Sequence, residues 1–270
     1  MRKIFSLLIF CITTVSNAFA KQVDTIEILS PSMNNKIKNV IILPADYDNK
    51  TNLPVLYLLH GYGGNHKHWI QIKPELPKLA TQYSIIIVCP DGKNSWYWDS
   101  PINAKMKYET YVSKELTAYI DNNYKTKKDK SGRAITGLSM GGHGGLWLGI
   151  RNQNIFGACG SSSGGVDIRP FPDNWEMKKA IGSYKDNAER WDKHTVINQL
   201  HLIKPELAII IDCGTEDFFY EVNENLHREL VQRKIKHDYI SRPGAHNGRY
   251  WNNAIEHQIL FFSNFFNKAN

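Results

Sequence analysis

A glycine-rich segment, residues 133–146, comes where a short apolar run gives way directly to a helical pattern. It is RAITGLSMGGHGGL, and it contains Gly-x-Ser-x-Gly centred on Ser139. A serine displayed on a tight strand-to-helix turn has strained backbone angles, so the residues two before and two after it must be small. A phosphate-binding loop is the alternative. However, the segment lacks the lysine of G-x-x-x-x-G-K-[ST], and Trp147 replaces the last glycine of G-x-G-x-x-G. The segment therefore favours a nucleophilic serine.

Short β-branched runs alternate with longer amphipathic runs from about residue 39 onward. Strands are predicted at 40–43, 55–59, 85–88, 133–138, 157–163, 207–212 and 237–241, and helices at 108–124, 140–151, 219–234 and the C-terminus. This alternation predicts an α/β fold with a mostly parallel sheet and helices on both faces. Residues 166–203 do not follow this alternation of strands and helices. We interpret them as an insert over the sheet edge, before the strand that leads to Asp217.

The first twenty residues have the pattern of a secretory signal peptide. Arg2 and Lys3 precede an apolar run, and Ala18-Phe19-Ala20 offers a small-x-small cleavage site. A membrane anchor is the alternative, but it needs about 18 or more apolar residues, and this run is shorter. We therefore predict cleavage after Ala20, no stable membrane insertion afterwards, a single catalytic domain at 21–270, and a secreted or periplasmic location.

The charge and the cysteines give no sign of nucleic acid, metal or disulfides. The formal charge of +7 becomes +5 without Arg2 and Lys3, and the lysine-rich run 125–130 lacks interleaved aromatic residues. A solvated loop explains this run better than a nucleic-acid patch. The predicted mature chain keeps three of the four cysteines: Cys89, Cys159 and Cys213. They are odd in number and lack the spacing of a metal site, so we expect free buried thiols. No metal or organic cofactor is expected.

A nucleophilic serine needs a histidine base within hydrogen-bond reach. His246 lies in RPGAHNGRYW, between the last predicted strand and the last helix. His143 is closer to Ser139 in sequence, but four residues along the same helix it is expected to pack locally. His60 precedes a glycine loop and is expected to shape that loop by hydrogen bonding. His246 is therefore the predicted base.

The base must in turn be oriented by a carboxylate. Asp217 lies in the loop after the 207–212 strand, next to Phe218-Phe219, which can bury it. Glu216 is the alternative. The order Ser139, Asp217, His246 is the order of nucleophile, acid and base in α/β-hydrolases.

Ester cleavage also needs backbone N–H donors that stabilise the developing oxyanion. One donor is predicted to be the amide of Met140, directly after the serine. The second is predicted in HGYGG, which follows the 55–59 strand. We select the Tyr62 amide, with Gly61 or Gly63 as alternatives.

Four motifs together resemble the esterase D-like branch of the α/β-hydrolases: LLHGYGGNHKHW, GLSMGGHGGL, DCGTEDFF and PGAHNGRYW. That branch includes feruloyl, acetylxylan and tributyrin esterases, S-formylglutathione hydrolases and secreted mycolyltransferases. The resemblance covers about residue 38 to the C-terminus and implies the same triad and oxyanion positions. It also implies that Trp96 and Trp98, in DGKNSWYWDSP, line the substrate pocket, although they could instead anchor their loop.

The expected function is that of a secreted serine carboxylesterase that forms an acyl-enzyme. Export and the aromatic loop favour small or polysaccharide-linked esters, such as acetate or ferulate on plant polysaccharide. A mycolyltransferase-like acyltransferase and an S-formylglutathione hydrolase-like thioesterase are alternatives. An inactive carbohydrate-binding homologue is a third class, which the complete set of Ser139, Asp217 and His246 disfavours.

Overall fold

A computed structural model describes residues 22–268, and a single eight-stranded sheet runs through this part of the chain. The strands are β1 (Val23–Ser30), β2 (Asn35–Ile42), β3 (Val55–Leu59), β4 (Ile86–Pro90), β5 (Arg133–Gly137), β6 (Ala158–Ser162), β7 (Ala208–Gly214) and β8 (Asp238–Arg242). Their order across the sheet is β1-β2-β4-β3-β5-β6-β7-β8. The pairs β1/β2 and β2/β4 are antiparallel, and all the others are parallel. The predicted α/β class with a mostly parallel sheet is confirmed.

Helices cover both faces of the sheet. The α-helices are α1 (His68–Ile72), α2 (Leu76–Tyr83), α3 (Tyr108–Thr110), α4 (Thr117–Asn123), α5 (Met140–Arg151), α6 (Met177–Ile181), α7 (Ala188–Lys193), α8 (Tyr220–Gln232) and α9 (Gly248–Lys268). A π-helical turn, Tyr111–Leu116, joins α3 to α4, and short 3₁₀ turns lie at Tyr47–Asn49, Lys130–Gly132 and Val196–Leu202.

The two faces of the sheet bury separate apolar clusters. Tyr57 and Leu59 of β3 point into the cluster shared with α5 and α8, whereas Leu56 and Leu58 point into the cluster shared with α2 and α9. Every residue of β3, β4, β5 and β6 is buried. Strands covered on both faces need side chains that avoid water on each side, which explains their continuous apolar or small-residue sequences.

Three elements near the start of the described chain, β1, α1 and α2, were not predicted from the sequence. Strand β1 is an edge strand whose side chains are mostly exposed, so VDTIEILS shows no strong apolar alternation. Helices α1 and α2 are only five and eight residues long, so each offers little helical periodicity. The predicted strand at 40–43 is the second half of β2, which begins at Asn35.

The insert does not lie over the sheet edge as predicted. Residues 166–203 connect β6 to β7, which are parallel neighbours inside the sheet. Parallel neighbours need a crossover on one face, and the insert supplies it with α6, α7 and the Val196–Leu202 turn. This turn packs on α5 and α8. The insert therefore covers the helix that begins at Met140.

The predicted signal peptide, residues 1–20, lies outside the described residues. Within residues 22–268, no helix is both long and apolar enough to cross a membrane. The carboxyl ends of β3, β5, β7 and β8 open towards one edge of the sheet, where the loops after them carry the predicted site residues. Such an edge is the usual position of a binding site in an open parallel sheet.

Candidate active site

Ser139 occupies a strained turn between β5 and α5. Its backbone angles are φ 55° and ψ −119°, in a region that a side chain rarely adopts. A Cβ added at Gly141 would lie 2.3 Å from the carbonyl oxygen of Leu59, and one at Gly137 would lie 2.5 Å from the same oxygen. Larger residues at either position would push β3 away, so the glycines make this turn possible.

His246 and Asp217 meet Ser139 at the end of the sheet. The Ser139 Oγ lies 2.9 Å from His246 Nε2, and His246 Nδ1 lies 2.9 and 2.8 Å from the two Asp217 oxygens. An ionised carboxylate only accepts hydrogen bonds, so Nδ1 carries the imidazole hydrogen in this arrangement. Nε2 is then free to accept the serine hydroxyl proton.

Aromatic rings surround the imidazole and the carboxylate. Asp217 is 5% exposed and accepts a 2.8 Å hydrogen bond at Oδ1 from the backbone N–H of Phe219. The ring of Phe218 lies 4.1 Å from the His246 ring, centre to centre, and the Trp251 ring meets it edge-on at 4.8 Å. These contacts hold the imidazole between the serine and the carboxylate. Asp217 is buried, as predicted, and the contact of the Phe218 and Phe219 rings with His246 was not foreseen.

His143, the nearer histidine in sequence, is fully enclosed and faces away from this arrangement. Its Nδ1 donates to the Gly165 carbonyl at 2.9 Å, and its Nε2 accepts from the Trp98 indole N–H at 2.8 Å. Burial lowers the pKa of His143 to about 3, so the ring is neutral. With both nitrogens engaged it cannot accept a proton from Ser139, and its predicted local packing is confirmed.

His60 and Glu216 also have roles other than those of base and acid. His60 Nδ1 donates to the Gly61 carbonyl at 2.7 Å, and Nε2 accepts from the Gly92 N–H at 2.8 Å, so it ties two loops together. Glu216 is exposed, and its backbone N–H donates to the Gly244 carbonyl. The carboxylate that is hydrogen-bonded to His246 is therefore that of Asp217.

The loop after β3 brings backbone amides close to the serine. A Cβ at Gly61 would lie 3.2 Å from Ser139 Cβ, which shows how closely this loop approaches. The Gly63 N–H donates to Asn94 Oδ1 at 2.9 Å, so it is already engaged. Among the hydrogen bonds of residues 22–268, neither the Tyr62 N–H nor the Met140 N–H has an acceptor. The Gly61 N–H has no acceptor among these hydrogen bonds either, so three amides remain available near the serine.

Trp96 and Trp98 do not line an open pocket in this structure. They are 1% and 0% exposed and stack on each other at 5.6 Å. The Trp98 N–H is bound to His143, and Trp96 packs edge-on against the same ring at 5.2 Å. The prediction that they offer a surface to substrate is corrected, because packing on α5 uses that surface. They anchor their loop instead.

Trp175 and Glu176 form a corner of the insert that contacts both the loop after β7 and the loop after β3. No sequence pattern had indicated these contacts. Trp175 lies 5.8 Å from Phe218 with nearly parallel rings, and the next residue, Glu176, accepts a 3.2 Å hydrogen bond from the Tyr62 hydroxyl. Both residues have positive φ, 47° and 53°. The sequence of this corner has mixed polarity and two nearby prolines. An irregular turn has no periodic pattern, so its position could not be predicted from the sequence.

The side chains and amides at this site can carry out acyl chemistry. A strained serine, a histidine and a buried carboxylate in one hydrogen-bonded line can activate a hydroxyl. The free amides can bind an oxygen that gains negative charge. Residues 22–268 contain no group of three or more His, Cys, Asp or Glu side chains that could hold a metal ion.

Comparison with known proteins identifies the family. The Esterase family model matches residues 30–262. The chain belongs to the Esterase family. Its fold is that of the α/β-hydrolases, and it is a serine carboxylic ester hydrolase, as the sequence predicted.

Individual relatives agree with this assignment. An acetyl esterase of Caldicellulosiruptor saccharolyticus is 27% identical over 249 residues, which are 82% of this chain and 91% of that protein. A ferulic acid esterase structure has a TM-score of 0.77 at 25% identity, covering 90% of this chain and 98% of the other. The Staphylococcus aureus fluorophosphonate-binding serine hydrolase FphF has a TM-score of 0.80 at 22% identity, covering 89% and 98%.

Proposed function

We propose that this esterase acts through Ser139 as nucleophile, His246 as base and Asp217 as the orienting acid. The observation that carries the proposal is the continuous hydrogen-bonded line from Ser139 Oγ through His246 to the Asp217 carboxylate. All three are far apart in sequence and come from loops after three different strands. Their close approach is difficult to explain as packing alone, because Ser139 carries backbone strain.

In the first half-reaction, Ser139 Oγ attacks the ester carbonyl carbon while His246 Nε2 takes its proton. The carbonyl oxygen becomes an anion, which the N–H groups of Tyr62 and Met140 stabilise. The imidazolium then gives its proton to the leaving alcohol, and the carbon–oxygen bond to that alcohol breaks. The acyl group stays on Ser139 as an ester.

In the second half-reaction, water takes the place of the alcohol. His246 removes a proton from the water, whose oxygen attacks the acyl carbon. The proton returns to Ser139 Oγ as its bond to the acyl group breaks. Asp217 stays ionised throughout and stabilises the imidazolium, while the nearby Phe219 amide fixes the carboxylate.

The proposed substrates are small acyl esters of carbohydrate, with acetate and ferulate as the acyl groups considered first. Support comes from the similarity to an acetyl esterase at 27% identity and to a ferulic acid esterase structure at 25% identity. The signal-peptide pattern of residues 1–20 supports export, which would bring the mature 21–270 domain to polysaccharide outside the cytoplasm.

Covalent labelling tests the nucleophile. The folded enzyme is treated with a fluorophosphonate, and its intact mass is measured. We expect one adduct on the wild type and on Ser32→Ala, an exposed turn position, and none on Ser139→Ala. An adduct on folded Ser139→Ala, or its absence on the wild type, would refute the assignment.

A substrate panel then tests the ester class. It comprises p-nitrophenyl acetate, butyrate and octanoate, methyl ferulate and acetylated xylan. We expect acetylated xylan or methyl ferulate to be cleaved with higher kcat/KM than p-nitrophenyl octanoate. Acyl transfer to added sugar alcohols that exceeds hydrolysis would instead identify an acyltransferase, since only the second nucleophile differs.

A further inference from the structure

Phe218 combines direct contact with His246 and a large exposed surface. Its side chain is 52% exposed, although its ring centre lies only 4.1 Å from that of the imidazole. The other aromatic neighbours of His246 are buried: Phe219 is 1% and Trp251 is 8% exposed. Aromatic surface beside the imidazole is therefore open to solvent mainly at Phe218.

The chemistry of the proposed reaction decides which part of a substrate meets this surface. His246 Nε2 must protonate the leaving oxygen, so that oxygen lies within about 3 Å of the imidazole. The acyl oxygen lies on the other side, towards the Tyr62 and Met140 amides. The group attached to the leaving oxygen therefore extends over the imidazole, where Phe218 is the exposed neighbour.

We propose that Phe218, supported by Trp175, is the binding surface for the leaving alcohol and selects a pyranose ring there. The proposal rests on the function given above. A pyranose presents a flat face of C–H groups that packs on an aromatic ring, while its hydroxyl groups stay in water. An open aromatic surface suits such a ring, because a polymer can continue past it in both directions.

The insert holds this surface in place. Trp175 lies nearly parallel to Phe218, with an interplanar angle of 21°, and also packs on Phe219 at 5.1 Å and on Phe171 at 5.4 Å. Its backbone has φ 47°, and the next residue has φ 53°. Strained backbone of this kind persists only where surrounding contacts fix it, and it is concentrated at ligand-binding sites.

Polar groups lie on the far side of the same corner. A cavity of about 380 Å³ includes Lys93, Asn94, Glu176 and Lys179 in its lining. Its charged and amide side chains suit the hydroxyl groups of a neighbouring sugar residue. Glu176, the neighbour of Trp175, thus belongs to the lining of this cavity.

The test compares esters that share an acetyl group but differ in the alcohol. Hydrolysis of an acetylated xylo-oligosaccharide, p-nitrophenyl acetate and ethyl acetate is measured for the wild type, Phe218→Ala, Phe218→Tyr and Trp175→Ala. Leu260→Ala, an exposed apolar position on α9, is the matched control. Labelling by a fluorophosphonate shows separately that the nucleophile is intact in each variant.

We expect Phe218→Ala to raise KM for the sugar ester by about fivefold to tenfold relative to its effect on ethyl acetate, because a loosened imidazole lowers kcat for both esters alike whereas only the sugar ester loses a binding surface. Phe218→Tyr should restore the wild-type KM, and Trp175→Ala should raise it by a smaller factor. A fall in kcat by the same factor on both esters, with no selective rise of KM for the sugar ester, would show that Phe218 only positions His246, which overturns the proposal. A change limited to p-nitrophenyl acetate also overturns it, because the surface would then take an aryl group.

Failure of this proposal differs from failure of the proposed function. If the wild type is not labelled by the fluorophosphonate, the nucleophile assignment is wrong, and the leaving-group surface loses its basis. If labelling depends on Ser139 but Phe218→Ala leaves KM for the sugar ester unchanged, only the surface is refuted.

Discussion

Two histidine-bearing regions lie close to Ser139, and they differ in almost every physical property. Around His143, under the start of α5, the ring is fully buried and both nitrogens are bonded to fixed partners. Around His246, on the loop after β8, the ring is partly exposed, and one nitrogen meets a hydroxyl that can give up a proton. The same residue type therefore serves two purposes within one site.

The difference shows that closeness in sequence is a poor guide to which histidine ring contacts the Ser139 hydroxyl. A proton acceptor needs one nitrogen free, an orienting group on the other, and access for substrate. His143 has a partner on Nδ1, but packing leaves it without a free nitrogen and without access for substrate. His246 keeps all three because it comes from a loop at the open end of the sheet. Four experiments test this contrast between the His143 and His246 regions.

The largest effect is expected from His246→Ala. Removal of the base should lower kcat by about 10⁴-fold or more, because Ser139 then has no group to take its proton. Steady-state hydrolysis of p-nitrophenyl acetate measures it, with exposed His257→Ala as the control. Retention of a tenth of the wild-type rate in folded His246→Ala would contradict the assignment.

His143→Ala should instead act on stability. The change removes a buried ring and leaves the Trp98 N–H and the Gly165 carbonyl without partners, which should cost about 3–5 kcal/mol. Urea unfolding followed by tryptophan fluorescence gives the free energy of unfolding. If stability is unchanged while kcat per folded molecule falls as far as in His246→Ala, the contrast between the two regions is wrong.

The pH dependence of unfolding gives a second signal from His143. Its folded pKa, about 3, is below the ordinary value of 6.5, so the folded state favours the neutral ring. This contribution to stability is complete above about pH 6.5 and is lost as the pH falls towards 3. Between these limits the stability of the wild type should fall more steeply with falling pH than that of His143→Gln, by on the order of 1 kcal/mol per pH unit. Parallel stability curves for the two proteins would show that His143 does not resist protonation.

The smallest effect is expected at the contact between the insert and the loop after β3. Glu176→Ala removes the acceptor of the Tyr62 hydroxyl, and since this hydrogen bond is exposed, kcat/KM should fall by only about twofold to threefold. Glu176→Gln keeps an acceptor and should match the wild type. If kcat/KM falls more than about tenfold in Glu176→Ala, the hydrogen bond from Tyr62 to Glu176 positions the Tyr62 amide more strongly than is expected of an exposed hydrogen bond.

Sequence reasoning succeeded where local chemistry forces the structure. The strands β3, β5 and β7 could be predicted because continuous burial on both faces demands apolar or small residues throughout. The turn at Ser139 could be predicted because only glycine fits against Leu59 at positions 137 and 141. The order of Ser139, Asp217 and His246 along the chain follows from the order of the strands.

Sequence reasoning failed where side chains from distant segments decide a position. Strand β1 has few buried residues, so its pairing with β2 leaves little trace in its own sequence. Trp96 and Trp98 have the composition of a binding-site loop, yet packing against His143 buries them. Nothing local distinguishes an exposed indole from a buried one.

The fold class, the turn that displays Ser139 and the loops that bring Asp217 and His246 to it could be predicted from the amino-acid sequence, because steric limits and strand burial act on neighbouring residues. Only the tertiary structure decided that the insert crosses over α5, that Trp175 meets Phe218, and that Phe218 keeps its surface beside His246. Those contacts join residues from different loops, and their geometry depends on how the whole chain packs.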